Sequence, residues 1–109
     1  MTFNEYQAIT KKDAIFPDED NHFIYATLGL IGEAGEVAEK IKKIWRDKEK
    51  EVSERDREEI KKELGDVLWY MSQLASEIGL DFDDVASANL AKLASRLQRN
   101  VIHGAGDNR

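Results

Sequence analysis

Cysteine is absent from the 109 residues and proline occurs only once. A chain without cysteine can form neither a disulfide nor a thiolate metal site. A single proline leaves room for long, uninterrupted helices. No apolar run approaches the length that a membrane span needs, so we expect no membrane partner. The first residues lack the basic and apolar segments of a signal peptide, and we expect a cytoplasmic protein.

Positive charge is scarce relative to negative charge. The chain has 16 Lys and Arg against 22 Asp and Glu, for a formal net charge of −6. This balance argues against binding of duplex nucleic acid through its phosphates. The net negative charge still allows binding of a small phosphate ligand if metal ions mediate the contact. The length suits one domain, residues 1–109, and the 35% of charged residues suits helices with solvated faces.

Apolar periodicity predicts an all-α fold, a helical bundle of three main helices plus a short N-terminal helix. The predicted helices run from Phe3 to about Ala14, from Phe23 to Arg46, from a Ser53 cap to a Gly79 stop, and from Asp81 to about Arg99. Asp20 or Asn21 is the predicted cap of the second helix, and Asp56 completes a partial capping box with Ser53. Residues 100–109 have no helical period, which predicts an irregular C-terminal tail.

The second predicted helix carries two apolar seams, one from Ile24 to Ala38 and one from Leu30 to Ile44. A helix with two apolar seams is packed on two sides, so we place it inside the bundle. Its apolar face exceeds what the chain's own helices can easily cover, which predicts a homodimer or a dimer of dimers. One further seam is predicted on each later helix: Ile60, Leu64, Val67, Met71, Leu74 and Ile78, and then Ala86, Leu90, Leu93 and Leu97.

Two pairs of acids are the most informative feature of the sequence. The first pair is Glu33 and Glu36, and the second is Glu63 and Asp66. Each pair is spaced three residues apart, so in a helix both carboxylates lie on one face, one turn apart. The pairs are mirror images about the centre of the segment 47–51, which contains no apolar residue. A helical hairpin that turns there would bring all four carboxylates level.

Four carboxylates at close range repel one another unless something neutralises them. Their oxygens are hard ligands that suit Mg²⁺ or Mn²⁺. We therefore predict that these four acids form a divalent-cation site. The alternative is a solvated helix face, on which acids three residues apart are common. The mirrored spacing, with a glycine inside each pair, favours the site.

Three residues of the fourth predicted helix form a polar stripe: Asn89, Lys92 and Arg96. A cationic stripe beside hard-cation ligands is suited to a polyphosphate, because Lys92 and Arg96 can neutralise phosphate oxygens that the metal does not reach. Taken alone, the stripe is better explained as the solvated face of an amphipathic helix. The acid pairs are what favour a phosphate-binding role.

Several segments together resemble one protein family. Residues 29–39 and 62–70 look like the two halves of the MazG-type signature, an ExxE pair followed by an ExxD pair. The N-x-x-K-L-x-x-R sequence at 89–96 is similar to the family's third motif, and 104–109 resembles the tail of a short, single-domain branch. The resemblance covers about residues 24–109. The family comprises all-α nucleoside triphosphate pyrophosphohydrolases and includes dimeric dUTPases and dCTP pyrophosphatases.

The resemblance implies hydrolysis of a nucleoside triphosphate between its α and β phosphates, to a monophosphate and pyrophosphate, with a role in removing unwanted nucleotides. It implies that the four acids hold Mg²⁺, with Mn²⁺ as a substitute, and Glu33 or Glu36 could orient the attacking water. It implies phosphate contacts from Asn89, Lys92 and Arg96. Tyr70, one turn after Asp66, is a further substrate-binding candidate, and its alternative is a core aromatic.

Rival interpretations remain at this stage. Within the enzyme class, the chain could be a nucleotide-specific dUTP or dCTP hydrolase. Outside it, the acids could be a solvated face and the apolar seams could bind a protein partner, which would make the chain a non-catalytic interaction module. A carboxylate-bridged iron bundle is disfavoured because no histidine lies three or four residues from a paired acid. Five aromatics could stack on a nucleobase, although each is more simply a core residue: Phe16, Phe23, Tyr25, Trp45 and Trp69.

Overall fold

Four helices make up the regular structure of residues 1–17, 20–47 and 51–109, the part of the chain that the computed structural model describes. They are α1 (Phe3–Asp13), α2 (His22–Arg46), α3 (Glu54–Glu77) and α4 (Phe82–Gln98). No strand occurs in this part, and the all-α prediction is confirmed. The turn predicted within 47–51 lies largely outside the described residues. None of the four helices combines the length and apolar content that crossing a membrane requires.

The ends of α3 follow the local rules that the sequence predicts. The Ser53 hydroxyl accepts a hydrogen bond from the Asp56 N–H at 3.1 Å, and the Asp56 carboxylate accepts one from the Ser53 N–H at 3.0 Å. The helix then stops at Gly79, whose φ of 76° is the left-handed conformation that glycine adopts without strain. Asn21, one of the two predicted caps of α2, lies at the N-cap position, but its side chain forms no capping hydrogen bond.

The start of α4 is capped from α1 rather than from its own sequence. The Asn4 side-chain oxygen accepts a hydrogen bond from the Asp83 N–H at 2.9 Å. The Gln7 side-chain oxygen accepts one from the Phe82 N–H at 3.0 Å, and its amide nitrogen donates to the Leu80 carbonyl at 2.8 Å. The short N-terminal helix thereby satisfies backbone groups that α4 leaves without partners of its own.

An antiparallel pair formed by α2 and α3 is the main packing unit of the chain. The beginning of α2 meets the end of α3, as the contact of His22 with Glu77 shows. Helix α1 packs on α3 and α4. Among the described helices α2 packs only on α3, so the expectation that α2 is covered on two sides is wrong for the single chain.

Much of the predicted apolar core lies on the surface of the single chain. The fully buried apolar side chains among the described residues are Ala26, Ala75 and Phe82. On α2, Leu28 is 64% exposed, and on α4 Leu90 is 69% exposed. On α3 the orientation is partly inverted, because Ser72 and Gln73 are buried while Leu64, Met71 and Ile78 are exposed. The α4 seam, predicted as a core seam, is therefore mostly exposed within one chain, and the α3 seam is buried only in part.

The chain is more open than its length requires. Its radius of gyration is 16.8 Å, whereas a compact domain of this size has about 13 Å. Its accessible surface is 8376 Å², which exceeds by roughly 2,200 Å² the area typical of a monomer of the same mass. The exposed apolar seams are among the surfaces that a compact chain would bury.

Candidate metal centre

The antiparallel register of α2 and α3 brings three acids together. Glu33 comes from α2, and Glu63 and Asp66 come from α3. One oxygen from each carboxylate lies within 4.8 Å of the other two. We call these three residues the carboxylate cluster. Its formation follows from the mirrored spacing, because in an antiparallel pair equal distances from the turn become equal heights along the two helices.

Glu36, the fourth predicted acid, is not part of the carboxylate cluster. Its side chain is exposed on α2, one turn beyond Glu33. Its charge still acts on the site, since it is one of the groups that raise the pKa of Glu33.

The pKa of Glu33 is raised above its ordinary value of 4.5. Removal from water is the largest cause, and the negative charges of Asp66, Glu63 and Glu36 add to it. The carboxylate cluster is therefore electrostatically unfavourable on its own. A bound cation would relieve this repulsion.

Lys40 lies at one edge of the cluster and was not predicted as part of the site. Its ammonium group is 3.4 Å from Glu63 and 3.6 Å from Glu59. The sequence contained a clue to it, since Lys40 and Glu59 are mirror images about the same point as the paired acids. Lys40 balances part of the charge of Glu63, while Glu33 and Asp66 have no comparable ion pair among the contacts described.

The donor set fits a hard divalent cation. All three groups are carboxylates, the ligands that Mg²⁺ and Mn²⁺ accept and that soft metals do not favour. Adjacent oxygens around an octahedral Mg²⁺ are about 3 Å apart, and opposite ones about 4.2 Å. Separations within 4.8 Å reach those values by small side-chain rotations. Carboxylates that leave coordination positions open also suit a phosphate ligand on the same ion.

Tyr70 packs between α2 and α3 beside the cluster. Its ring lies directly over Gly29, where an added Cβ would collide with the ring carbons. Burial raises the pKa of the Tyr70 hydroxyl, followed by its hydrogen bond with Tyr25 and then by the charges of Glu33 and Asp66. The hydroxyl therefore stays protonated and can donate a hydrogen bond near the acids. Both interpretations of Tyr70, a packed aromatic and a substrate contact, are compatible with this position.

Tyr6 of α1 is a second tyrosine near the acids, and sequence reasoning missed it. Burial raises the pKa of its hydroxyl, and the charge of Asp66 adds to the rise. No motif could have found Tyr6, because its position depends on how α1 docks on α3. It places a further protonated hydroxyl on the α1 side of the site.

Aromatic side chains form a continuous cluster next to Tyr70. Phe16 stacks on His22 with ring centres 4.6 Å apart, and it also contacts Tyr25 and Trp69. A cavity of about 300 Å³ lies alongside, lined in part by Phe16 and Tyr25. The expectation that each aromatic is a core residue is wrong in the single chain for Trp45, which is 83% exposed, and for Phe23 and Tyr25, which are 45% and 44% exposed.

The hydrogen bonds and ion pairs described for the polar stripe of α4 go to the tail, and none of them reaches the carboxylate cluster. Within the described residues α4 has no packing contact with α2. Lys92 donates to the Asp107 carboxylate at 3.2 Å, and Arg96 is buried, with its terminal nitrogen bonded to the same carboxylate at 3.3 Å and to tail carbonyls. Asn89 is exposed. The predicted phosphate-binding cations are thus held by the chain's own tail.

The fold and the carboxylate cluster define an all-α protein with three acidic side chains gathered between two antiparallel helices. A family model described as the MazG nucleotide pyrophosphohydrolase domain matches residues 24–101. The chain belongs to this family. The Gene 37 protein of Mycobacterium phage L5 is similar to it, with 45% identity over 114 residues covering all of both chains. No solved structure matches the chain.

Proposed function

We propose that this protein is a Mg²⁺-dependent nucleoside triphosphate pyrophosphohydrolase. It would cleave a ribo- or deoxyribonucleoside triphosphate between the α and β phosphates, to the monophosphate and pyrophosphate. The observation that carries the proposal is the convergence of Glu33, Glu63 and Asp66 in a MazG-family domain. A role in clearing unwanted nucleotides from the cytoplasm follows from that activity.

The chain's own residues have separate tasks in this reaction. The carboxylate cluster would hold Mg²⁺, or Mn²⁺ in its place, and Glu36, one turn beyond Glu33 on α2, would be a further ligand. The metal would supply positive charge against the phosphate oxygens and would acidify a water molecule. Glu33 or Glu36 orients the attacking water. Because Glu33 belongs to the carboxylate cluster and Glu36 is exposed outside it, mutation can separate the role in metal binding from the role in orienting the water. The Tyr70 hydroxyl donates to a substrate oxygen.

Phosphate contacts from α4 are the second half of the proposal. Lys92 is only half-buried and its described ion pair is with an exposed carboxylate, so its ammonium group can exchange partners. Asn89 lies one turn earlier on the same exposed face, and its side-chain amide would donate a hydrogen bond to a phosphate oxygen. Arg96 adds positive charge from a buried position. The match of these residues to the family's third motif supports the assignment.

Release of pyrophosphate from a panel of nucleotides tests the proposal. The purified protein should release pyrophosphate from at least one nucleoside triphosphate with Mg²⁺, and chelation of the metal should stop the reaction. Equal turnover across the panel would support a general enzyme, and strong preference for dUTP or dCTP would support a nucleotide-specific one. Absence of release from every nucleotide would contradict the proposal.

An interaction module is the second candidate, because the apolar seams of α2, α3 and α4 are exposed. Such a module would need no metal or nucleotide. Isothermal titration with Mg²⁺ and a non-hydrolysable triphosphate separates the candidates. Metal-dependent binding of the analogue supports the enzyme, and a folded protein that binds neither supports the module.

We also propose that the protein is a homodimer or a dimer of dimers. The surplus of roughly 2,200 Å² per chain, counted on two chains, lies within the range of permanent homodimer interfaces. The exposed faces of α2 and α3 provide the apolar contribution. Sedimentation velocity should give a mass of at least twice 12.4 kDa. A species at the monomer mass across micromolar concentrations would contradict this assembly.

A further inference from the structure

The tail, residues 100–109, is an organised element although it contains no helix. The Arg109 side chain folds back and donates hydrogen bonds to the carbonyls of Val101 and Ile102, each at 2.9 Å. Gly104 permits this arrangement, since an added Cβ would lie 2.5 Å from the Arg109 side chain. Gly106 has a φ of 83°, which favours glycine. Three tail residues thus have a structural reason for their identity.

Arg96 fixes the tail to α4 through the main chain. Its terminal nitrogen donates to the Asp107 carbonyl and, at 3.5 Å, to the Gly106 carbonyl. Arg99 adds a hydrogen bond of 2.7 Å to the main-chain oxygen of Arg109. None of these bonds uses the Asp107 carboxylate. The tail therefore has anchors that persist if that carboxylate changes partner.

The Asp107 carboxylate is the anion that faces the α4 cations. One of its oxygens lies 3.2 Å from the Lys92 ammonium group and 3.3 Å from the Arg96 guanidinium. The Asp107 side chain is 84% exposed, so it can rotate into water without loss of packing. The Arg96 Nε is buried and has no hydrogen-bond partner among the described residues. The guanidinium group is thus incompletely satisfied by the tail.

We propose that the Asp107 carboxylate competes with a polyphosphate for the Lys92 ammonium group. In the ligand-free protein Asp107 forms an ion pair with Lys92, and a bound polyphosphate displaces Asp107 from it. This inference rests on the proposed function for the identity of the incoming anion. A polyphosphate carries several charges and more acceptor oxygens than one carboxylate, so it replaces an exposed ion pair readily. The tail remains attached through its main-chain bonds and Arg109 while the carboxylate turns away.

The test is calorimetric binding of inorganic tripolyphosphate with Mg²⁺. Asp107→Asn should bind about two- to fivefold more tightly than the wild type, the size that loss of one exposed ion pair supports. Asp107→Glu retains the competing charge and should stay within about twofold of the wild type. Glu58→Gln, which removes an exposed acid paired with Lys61 on α3, controls for net charge and should also leave the affinity unchanged.

A double-mutant cycle assigns the effect to Lys92. In a Lys92→Ala background, Asp107→Asn should give a smaller gain in affinity, because only the contact of Asp107 with Arg96 is left to remove. An unchanged or weaker affinity of Asp107→Asn would overturn the inference, and so would a gain of the same size without Lys92. Thermal unfolding checks that Asp107→Asn retains the fold. The readout is binding and does not depend on catalysis. If Asp107→Asn binds tripolyphosphate more tightly but the protein releases no pyrophosphate from any nucleotide, only the proposed function is contradicted.

Discussion

The α2–α3 hairpin and the α4–tail unit hold their charged groups in different ways. In the hairpin, acids of like charge are brought together by helix packing, and the pKa of Glu33 is raised first by its removal from water and then by the charges of Asp66, Glu63 and Glu36. In the α4–tail unit, Lys92 and Arg96 share the single carboxylate of Asp107. The hairpin acids therefore lack a balancing cation apart from Lys40, whereas the α4 cations already have part of their charge balanced within the unit. The four predictions that follow test this difference.

The largest expected effect is on the hairpin acids. Asp66→Asn should reduce pyrophosphate release by at least about 100-fold and abolish Mg²⁺ binding, because it removes a member of the carboxylate cluster. Glu36→Gln should reduce release by a similar factor but weaken Mg²⁺ binding less, since Glu36 lies outside the cluster. Turnover and calorimetry measure the two effects, with Glu58→Gln as the control. Full activity of Glu36→Gln would show that its assignment is wrong.

The packing that creates the cluster can be broken through a glycine. Gly29→Ala should destabilise the fold by about 1–3 kcal/mol, because the new methyl group collides with the Tyr70 ring. Gly32→Ala is the matched control: nothing lies within 4 Å of its added Cβ, so a gain of up to about 1 kcal/mol is expected from helix propensity. Urea denaturation measures both. Destabilisation by Gly32→Ala would indicate that a second copy covers this face.

The α4 cation is expected to act on substrate affinity. Lys92→Ala should raise the Michaelis constant about five- to tenfold and change the turnover number little, because it removes a phosphate contact and leaves the acids intact. Lys61→Ala removes an exposed lysine on α3 and should leave both constants unchanged. Steady-state kinetics measures both constants. An unchanged Michaelis constant would show that Lys92 is part of a solvated helix face and does not contact the substrate.

The smallest expected effect is on the stability of the metal-free protein. The raised pKa of Glu33 means that the folded state binds this proton more tightly than the unfolded chain does. Its contribution is therefore favourable at low pH and is lost as the pH rises through the folded-state pKa. Glu33→Gln should raise the melting temperature in a chelator at neutral pH by a few degrees, and the gain should disappear in acid. An equal gain in melting temperature at neutral and at acidic pH would show that the negative charge of Glu33 is not what destabilises the metal-free protein.

The positions of the helices could be predicted from the sequence because they depend on local features. The Ser53 capping box and the Gly79 stop are encoded within a few residues. The carboxylate cluster could also be predicted, because mirrored spacing becomes register once two helices are antiparallel. These successes need no knowledge of distant packing.

The remaining features depend on contacts that one sequence pattern does not contain. The apolar seams of α3 and α4 are periodic, yet most of the α4 seam and half of the α3 seam are exposed in a single chain, because periodicity does not specify what covers a face. Tyr6 reaches the acids only through the docking of α1. The tail was predicted to be irregular, and its organisation by Arg96 and Arg109 depends on main-chain carbonyls that have no sequence signature.

The capping of α4 by α1 has a consequence for how the chain folds. The partners of the two capping bonds, Gln7 with Phe82 and Asn4 with Asp83, are 75 and 79 positions apart. Closing so long a loop costs entropy that only the completed contact repays, so this step should follow formation of the α2–α3 hairpin. Until it occurs, α4 has a frayed beginning and Tyr6 is away from the acids. Helix α1 and the beginning of α4 therefore become ordered together, as the last step in the folding of one subunit.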